Sequence, residues 1–337
     1  MNDIPKVSII VPVFNTGVII SKFIKSIIRQ SYLAWSLILV DDGCTDDTVS
    51  YINAFLKRDN RIVLLRRTRE PKGSVACRNI GMLYADGKYI IHFDADDFVG
   101  TCCLEQRVSY MEKHPALDFA VFKGVSFFVN ENNEIVKTKR KWGRKRKKND
   151  IISFLSNDYP FSVWNCIYKA SRFKNIKWDE KVKIYTDLSY ILPSLLGDYS
   201  YEYVTDCKED YFYRVNQKNA MTSAFITKEK YESTKYLFSK IDREIAKQKK
   251  YLIYKKKFKE YMLVLLERIV NSSNLEIIND FENFYKSLFG LEIRFHFIVS
   301  FSKGMIVKGG NRGKKLRFII ALMYRPKIFI NWLTTKI

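Results

Sequence analysis

A short apolar run followed at once by three carboxylates constrains this chain more than any other stretch. Ile90–Phe93 has the length and composition of a buried strand, and Asp94, Asp96 and Asp97 follow in the loop at its carboxyl end. Ligands of open α/β sheets bind at that edge. Carboxylates gathered there repel one another and are costly to desolvate, so a bound Mg²⁺ or Mn²⁺ is the simplest relief. A solvated acidic turn is the alternative that this stretch alone leaves open.

Three earlier segments have the same strand character. Val7–Phe14, Ser36–Val40 and Arg61–Leu65 are apolar, largely β-branched runs, and segments with helical periodicity lie between them. This alternation predicts an α/β fold with a parallel sheet. Because parallel strands end at the same edge of the sheet, we expect Asn15 and the Asp41–Asp42 pair to lie beside the Asp94 loop.

Charge and cysteine content limit the class of protein. The net charge of +22 over 337 residues indicates a polyanionic partner such as a phosphorylated substrate, an anionic lipid surface or a nucleic acid. Six cysteines without a CxxC pair predict reduced thiols in a cytoplasmic protein. We find neither a secretion signal nor an apolar run of about 18 residues, the length of a membrane span.

The middle of the chain is more irregular. Asp118–Phe128 is predicted as one strand, and the basic run Lys137–Lys148 as a solvated, mobile loop that touches acceptor phosphates or a membrane. A nucleic-acid role rests on charge alone, so nucleic acid is not an expected partner. Asp187 falls in the first turn of a predicted helix, and Tyr211–Asn219 is predicted as a strand that ends in a polar loop.

The composition shifts at about residue 227, which predicts two domains, 1–226 and 227–337. Long charged helices are expected at Lys228–Lys249, Tyr251–Asn271 and Leu275–Phe289. Leu316–Leu333 then mixes aromatic with basic residues. Binding in the plane of a membrane, and packing against the first domain or the partner in a homodimer, are the two interpretations of this region.

Four motifs in a fixed order carry a resemblance to a known family: Val7–Asn15, Val40–Asp46, Ala76–Gly81 and Phe93–Asp97. In this order and spacing, residues 5–225 resemble family-2 glycosyltransferases of the GT-A fold, of the bacterial cell-surface polysaccharide type. The resemblance implies a Rossmann-like mixed sheet flanked by helices, with a helical extension at the C-terminus.

The resemblance also implies site residues. The nucleotide-sugar site would comprise Pro12, Val13, Phe14, Asn15, Asp41, Asp42, Arg78, Asp94, Ala95 and Asp96. The first three would line the nucleobase pocket, Asp42 would accept a hydrogen bond from the base, and Arg78 would support the base or the diphosphate. Asp96 would be the main ligand of Mn²⁺ or Mg²⁺, and Asp94 would face the ribose and the metal.

The later motifs imply the catalytic base and the acceptor contacts. Asp187 inherits the role of base, although Thr186 stands where the family has Glu; the alternative bases are Asp179 and Glu180. The acceptor residues implied are Trp164, Asn165 and Arg214. A third metal contact would come from Asn216 or Asn219.

The expected function is therefore that of an inverting, metal-dependent glycosyltransferase. It would move a sugar from a nucleotide donor, most often UDP, to a capsule, O-antigen or lipooligosaccharide acceptor, which is a glycan or a lipid-linked glycan, at the inner face of the cytoplasmic membrane. A sugar nucleotidyltransferase is the first alternative, but Phe14–Gly17 lacks the basic, Gly-rich character that a triphosphate needs. A basic nucleic-acid-binding or scaffold protein would explain the charge but not the carboxylates.

Overall fold

The computed structural model of the protein describes residues 4–132, 134–215, 227–272 and 274–308. The chain divides into two compact units, one of residues 1–150 and 159–218, the other of residues 151–158 and 219–337. The strands are β1 (Val7–Val13), β2 (Trp35–Asp41), β3 (Ile62–Arg66), β4 (Tyr89–His92), β5 (Phe98–Val99), β6 (Phe119–Val121), β7 (Gly124–Val129), β8 (Ile135–Trp142), β9 (Cys166–Lys169), β10 (Tyr201–Tyr203) and β11 (Tyr211–Arg214).

Helices lie between these strands, as the alternating pattern predicts. They are α1 (Ile19–Ile28), α2 (Thr48–Leu56), α3 (Ser74–Tyr84), α4 (Cys103–Lys113), α5 (Asp150–Phe154), α6 (Ala170–Phe173) and α7 (Thr186–Leu196), with a 3₁₀ turn at Val163–Asn165. Helix α3 packs directly on β1, because a Cβ added at Gly81 would lie 2.5 Å from Cγ2 of Ile10. This close approach brings the α3 side chains to the edge of the sheet.

The main sheet has seven strands in the order β10-β6-β9-β4-β1-β2-β3. Strand β1 is parallel to both β2 and β4, whereas β9 is antiparallel to β4 and β6. The α/β fold with a mixed sheet is thereby confirmed. Val13 pairs with Asp41 and Ile10 with His92, so the ends of β1, β2 and β4 lie side by side. That edge is where a sheet of this kind binds ligands.

A second sheet, in the order β5-β11-β7-β8, corrects two predictions. The predicted strand at Asp118–Phe128 is two strands, since β6 belongs to the main sheet and β7 to the second. The first part of the basic run Lys137–Lys148 is strand β8 and not a loop. Exposed lysines are compatible with β8 because it is an edge strand, where charged side chains discourage pairing with other chains.

A buried ion pair joins the two sheets behind the edge just described. The Arg107 guanidinium donates from Nε and Nη2 to the Asp210 carboxylate, at 2.8 Å for each bond. Its Nη1 donates to the carbonyl of Trp164 at 3.0 Å. Asp210 directly precedes β11, so this pair fixes where β11 begins.

The second unit contains the predicted helices. They are α8 (Lys228–Ala246), α9 (Tyr251–Ser272), α10 (Leu275–Phe289) and α11 (Ile293–Lys308), and buried aromatic side chains such as Phe238, Phe258 and Tyr285 pack between them. None of the helices in the described part of the chain combines the length and the apolar character that a membrane span needs. The predicted aromatic and basic segment Leu316–Leu333 lies outside the described residues.

We predict that Asp210→Ala lowers the free energy of unfolding by about 3–5 kcal/mol, because Arg107 would remain buried without its counter-charge. Urea unfolding followed by tryptophan fluorescence measures this, since Trp35, Trp142, Trp164 and Trp178 all lie in the first unit. The control is Asp86→Ala, which breaks an exposed ion pair with Lys6 and costs less than about 1 kcal/mol. An equal decrease in the free energy of unfolding of the two variants would contradict the anchoring role of the buried pair.

Candidate active site

The loop after β4 is fixed by its last carboxylate. Asp97 is 1% exposed, and its Oδ2 and Oδ1 accept hydrogen bonds from the Tyr211 hydroxyl and the Arg214 backbone N–H, at 2.6 Å each. Burial, and then the charges of Asp96 and Asp94, raise the pKa of Asp97 well above its usual value. Asp97 therefore anchors the loop to β11.

Asp94 faces an arginine from the neighbouring helix. Nη2 of Arg78 on α3 donates to Oδ1 of Asp94 at 2.6 Å. Burial raises the pKa of Asp94 to about 6, the Arg78 charge opposes that rise, and the carboxylates of Asp96 and Asp187 add to it. Three carboxylates from two distant segments of the chain therefore act on one another in the first unit.

Asp187 lies in the first turn of helix α7, as the sequence predicts. Tyr185, just before the helix, has a left-handed backbone with φ of 62°, and this turn sets the direction in which α7 starts. The Ser162 hydroxyl donates a hydrogen bond to Oδ2 of Asp187. This bond holds Asp187 beside the Ser162–Trp164 segment, whose Trp164 ring stacks on Tyr211 and Tyr213 of β11.

An aromatic stack connects Arg78 with α7. The Arg78 guanidinium lies 4.7 Å from the ring centre of Trp178, and Trp178 stacks on Tyr190 of α7 at 4.1 Å. The Trp178 backbone exchanges two hydrogen bonds with the side-chain amide of Asn79, at 2.8 and 2.9 Å. The edge of buried His92 meets the Trp178 ring at 5.2 Å. The stack therefore gives the guanidinium a second contact in addition to its bond with Asp94.

The end of β2 is chemically different from the end of β4. Oδ1 of Asp41 accepts the N–H groups of Gly43 and Cys44, which closes a tight turn. Oδ1 of Asp42 accepts Nε of Arg67 at 2.6 Å and the N–H of Gly73 at 3.1 Å. The charge of Asp42 is thus balanced within the protein.

The predicted residues at the end of β1 border the same edge. Phe14 is 44% exposed, and Nζ of Lys72 lies 3.7 Å from its ring centre. The side-chain amide of Asn15 exchanges hydrogen bonds with Thr45. Pro12 is partly buried, whereas Val13 and Ala95 are buried. An exposed aromatic ring at this edge provides a flat surface for a planar ligand.

The three predicted acceptor residues lie in different environments. Trp164 is buried and stacks on Tyr211 at 4.4 Å. Asn165 is fully buried; its Oδ1 accepts a hydrogen bond from the N–H of Ser162, and its Nδ2 donates one to the carbonyl of Phe122. Arg214 is partly exposed, and its Nε donates to the Asp96 carbonyl at 2.8 Å. Of the three side chains, only that of Arg214 is both accessible and in contact with the carboxylate loop.

The alternative bases differ in how they are held. Glu180 forms a two-point ion pair with Arg69, at 2.6 and 2.7 Å, and accepts a third bond from Asn79, which keeps its pKa low. Asp179 accepts the N–H of Lys181. Asn216 and Asn219 lie outside the described residues.

Several residues that build the site were not predicted from the sequence: Ser162, Trp178, Tyr190, Arg67 and Tyr211. Each contacts a residue at least 25 positions away in the chain, which for Tyr190 is His92. The only local signal was an aromatic residue beside a predicted motif, as in Lys177–Glu180. That signal is too common to single out a residue.

Metal-binding capacity is limited in the protein itself. No group of three or more His, Cys, Asp or Glu side chains with metal-binding geometry occurs among the residues that the structure describes. Asp94 and Asp96 are two oxygen donors, and Mg²⁺ is commonly held by one or two carboxylates together with substrate phosphates. The donor set therefore fits a cation that arrives with a diphosphate.

The family model and the relatives that match this chain all describe glycosyltransferases. The model of the family described as Glycosyl transferase family 2 matches residues 8–176. An uncharacterized glycosyltransferase of Haemophilus influenzae is 32% identical over 200 residues, which are 58% of this chain and 76% of that protein. The poly(ribitol-phosphate) beta-glucosyltransferase of Bacillus spizizenii is 29% identical over 124 residues, which are 36% of this chain but only 20% of that protein.

Solved structures share the fold at low sequence identity. Residues 1–349 of S. aureus TarS, in complex with UDP-GlcNAc, match with a TM-score of 0.65 at 18% identity, over 93% of this chain and 90% of that chain. The mannosyltransferase PcManGT of Pyrobaculum calidifontis, in complex with GDP-Man and Mn²⁺, matches with a TM-score of 0.55 at 14% identity, over 95% and 86%.

Proposed function

Because the chain belongs to glycosyl transferase family 2, we propose that it transfers a sugar from a nucleoside-diphosphate sugar to a hydroxyl of a bacterial cell-surface glycan, with inversion at the anomeric carbon. The observation that carries the proposal is the meeting of strands β1, β2 and β4 at one edge of the sheet, where Asp96 and the Arg78-paired Asp94 follow β4. A UDP-sugar is the proposed donor, in keeping with the UDP-GlcNAc complex of TarS. The proposed acceptor is a glycan of the capsule, O-antigen or lipooligosaccharide type.

Asp187 is the proposed general base. Its carboxylate would take the proton from the acceptor hydroxyl as that oxygen attacks the anomeric carbon and the nucleoside diphosphate leaves. The hydrogen bond from Ser162 orients the carboxylate, and its place in the first turn of α7 is favourable for a negative charge. One such displacement inverts the configuration of the sugar.

Asp96 and Asp94 are the proposed ligands of Mn²⁺ or Mg²⁺. When bound, the cation supplies positive charge that stabilises the leaving diphosphate. Arg78 already provides one fixed positive charge beside Asp94, and the aromatic stack keeps the guanidinium from turning away. Phe14 and Asp42 lie at the neighbouring strand ends, where the nucleobase is proposed to bind.

The proposed place of action is the inner face of the cytoplasmic membrane, with the second unit on anionic lipid. Support comes from α11, where Ile293, Phe297 and Phe301 are exposed at helical spacing, beside exposed Leu291. A helix that leaves such a row of apolar side chains in water gains free energy when a surface covers it. A homodimer contact through the same row is the alternative.

We predict that Asp187→Asn slows release of nucleoside diphosphate from UDP-GlcNAc by about 10²–10⁴-fold, the usual contribution of a general base. The amide keeps the shape of the side chain and the bond from Ser162, so thermal stabilisation by UDP and Mn²⁺ should remain. Asp179→Asn is the matched control and should turn over donor at nearly the wild-type rate. Full activity of Asp187→Asn, with loss in Asp179→Asn, would move the base to Asp179.

We predict that Asp96→Asn removes the part of the UDP-induced rise in Tm that depends on Mn²⁺. The neutral amide is a weaker ligand for a hard cation than the carboxylate. Titration of the metal at fixed UDP measures the effect, and Asp46→Asn, outside the carboxylate loop, serves as control. The same metal dependence in Asp96→Asn and the wild type would rule out Asp96 as a ligand.

We predict that the double variant Phe297→Ser, Phe301→Ser binds vesicles containing phosphatidylglycerol at least about tenfold more weakly than the wild type, because two apolar side chains no longer enter the bilayer surface. Co-sedimentation with the vesicles measures binding. Val18→Ser with Leu83→Ser removes two similarly exposed side chains from the first unit and should change little. Unchanged vesicle binding, with loss of a dimer in analytical ultracentrifugation, would favour the homodimer.

A further inference from the structure

An open, basic cavity of about 350 Å³ lies on the first unit, apart from the carboxylates described above. Its lining residues are Lys123, Lys137, Arg144, Cys207, Lys208 and Glu209. A cavity of this volume is at the lower end of the range for small-molecule sites, about 300–1,000 Å³. It is therefore large enough for one phosphorylated sugar or polyol unit but not for a folded partner.

The cations of this cavity come from separate segments of the chain. Lys137 belongs to edge strand β8, Lys123 to the connection between β6 and β7, Arg144 to the loop after β8, and Lys208 to the connection between β10 and β11. Protection of an edge strand explains a lysine on β8 alone. It does not explain why three further cations meet there.

The cavity has more positive charge than its own acid can balance. Glu209 is its only lining carboxylate, and it pairs with Arg144 at 3.1 Å and with Lys141 at 3.5 Å. Within the part of the chain that the structure describes, neither Lys137 nor Lys208 has a carboxylate at ion-pair distance. Nζ of Lys137 instead lies 5.0 Å from the ring centre of Phe212. These two lysines would therefore attract an anionic ligand without the loss of an existing ion pair.

The cavity floor is held by one of the same lysines. Nζ of Lys123 donates to the carbonyls of Thr205 and Cys207, the latter at 3.1 Å. These bonds fix the loop that carries Lys208 and Glu209. The backbone that carries Lys208 is therefore fixed beside Lys123 before any ligand binds, which lowers the entropic cost of binding.

The pairing of strands connects this cavity with the carboxylate loop. Lys137 on β8 pairs with Phe127 on β7, and Phe127 pairs with Arg214 on β11. Two strand spacings separate Lys137 from Arg214, a distance of about 10 Å. Arg214 in turn contacts the Asp96 carbonyl. A ligand of a few sugar or polyol units would therefore reach from the cavity to the carboxylate loop.

We propose that this cavity binds a phosphate group of the acceptor, so that the preferred acceptor is a phosphate-bearing glycan or polyol polymer; the inference rests on the proposed function. Lys137 and Lys208 hold the phosphate, and Arg214 lies between them and the reacting hydroxyl. The net charge of +22 favours the approach of such a polyanion. Neutral glycans bind weakly because nothing in them meets these cations.

The test compares two charge-matched double variants of the full chain. Lys137→Gln with Lys208→Gln removes two charges from the cavity, and Lys57→Gln with Lys113→Gln removes two exposed charges elsewhere on the first unit. Binding of fluorescently labelled poly(ribitol phosphate), measured by anisotropy at fixed salt, should fall by about 10- to 30-fold in the cavity variant. The control variant should fall by less than about threefold, and wild-type binding should weaken steeply as salt rises.

Three results would overturn the proposal. The first is that dextran, a neutral glycan used as a probe, binds the wild type as tightly as the phosphate polymer does. The cavity variant and the control variant could lose equal affinity, which would indicate only a general charge effect. Phosphatidylglycerol vesicles could lose affinity for the cavity variant while the polymer does not, which would make the cavity a membrane contact.

A separate measurement distinguishes failure of this inference from failure of the proposed function. Thermal stabilisation of the wild type by UDP and Mn²⁺ reports on the donor site and does not involve the cavity. If that stabilisation is absent while the polymer binds as expected, the donor assignment fails and the cavity remains a phosphate site. If stabilisation is present and the cavity variant binds the polymer like the wild type, only the acceptor inference fails.

Discussion

The crowding of carboxylates at the end of β4 is the constraint to which the rest of the first unit is fitted. Asp94, Asp96 and Asp97 lie within four residues, and Asp187 adds a fourth negative group from α7. Asp97 accepts a hydrogen bond from the Tyr211 hydroxyl, Asp94 pairs with Arg78, and Asp187 accepts a hydrogen bond from the Ser162 hydroxyl. Strand β11 and helix α3 are thereby both bound to one short loop.

The aromatic residues around Arg78 hold its guanidinium in position. A guanidinium that is nearly buried must be held on its faces as well as at its donors, and Trp178 and Tyr190 form that surface. The two-point bond between Asn79 and the Trp178 backbone adds a second attachment beside the first. The position of α7, and with it Asp187, consequently depends on the same stack that positions the partner of Asp94.

Local sequence patterns predicted the strands, the strand ends and most helices, because apolar periodicity and turn residues act over a few positions. They failed where a side chain acts at long range. Tyr211 reaches Asp97 across 114 positions, and no local pattern encodes that contact. They also failed at β8, where the alternation of Val136, Lys137 and Thr138 was obscured by lysines that an edge strand tolerates.

The acidic ends of β2 and β4 differ in how far their negative charge is balanced by the protein, so the two sides of the site suit different parts of a ligand. Asp42 on the β2 side is already neutralised by Arg67 and by the N–H of Gly73, so this side adds little negative charge to the edge. On the β4 side, Arg78 is one cation among several carboxylates; burial, and then the charges of Asp96 and Asp187, raise the pKa of Asp94 against the effect of Arg78. A bound cation would therefore be stabilised by the carboxylates after β4, whereas Asp42 after β2 already has Arg67 as its counter-charge. The proposed donor joins an uncharged planar ring to a cation-bound diphosphate and so matches this division, with the ring proposed to lie at Phe14 and the charged part at Asp94 and Asp96.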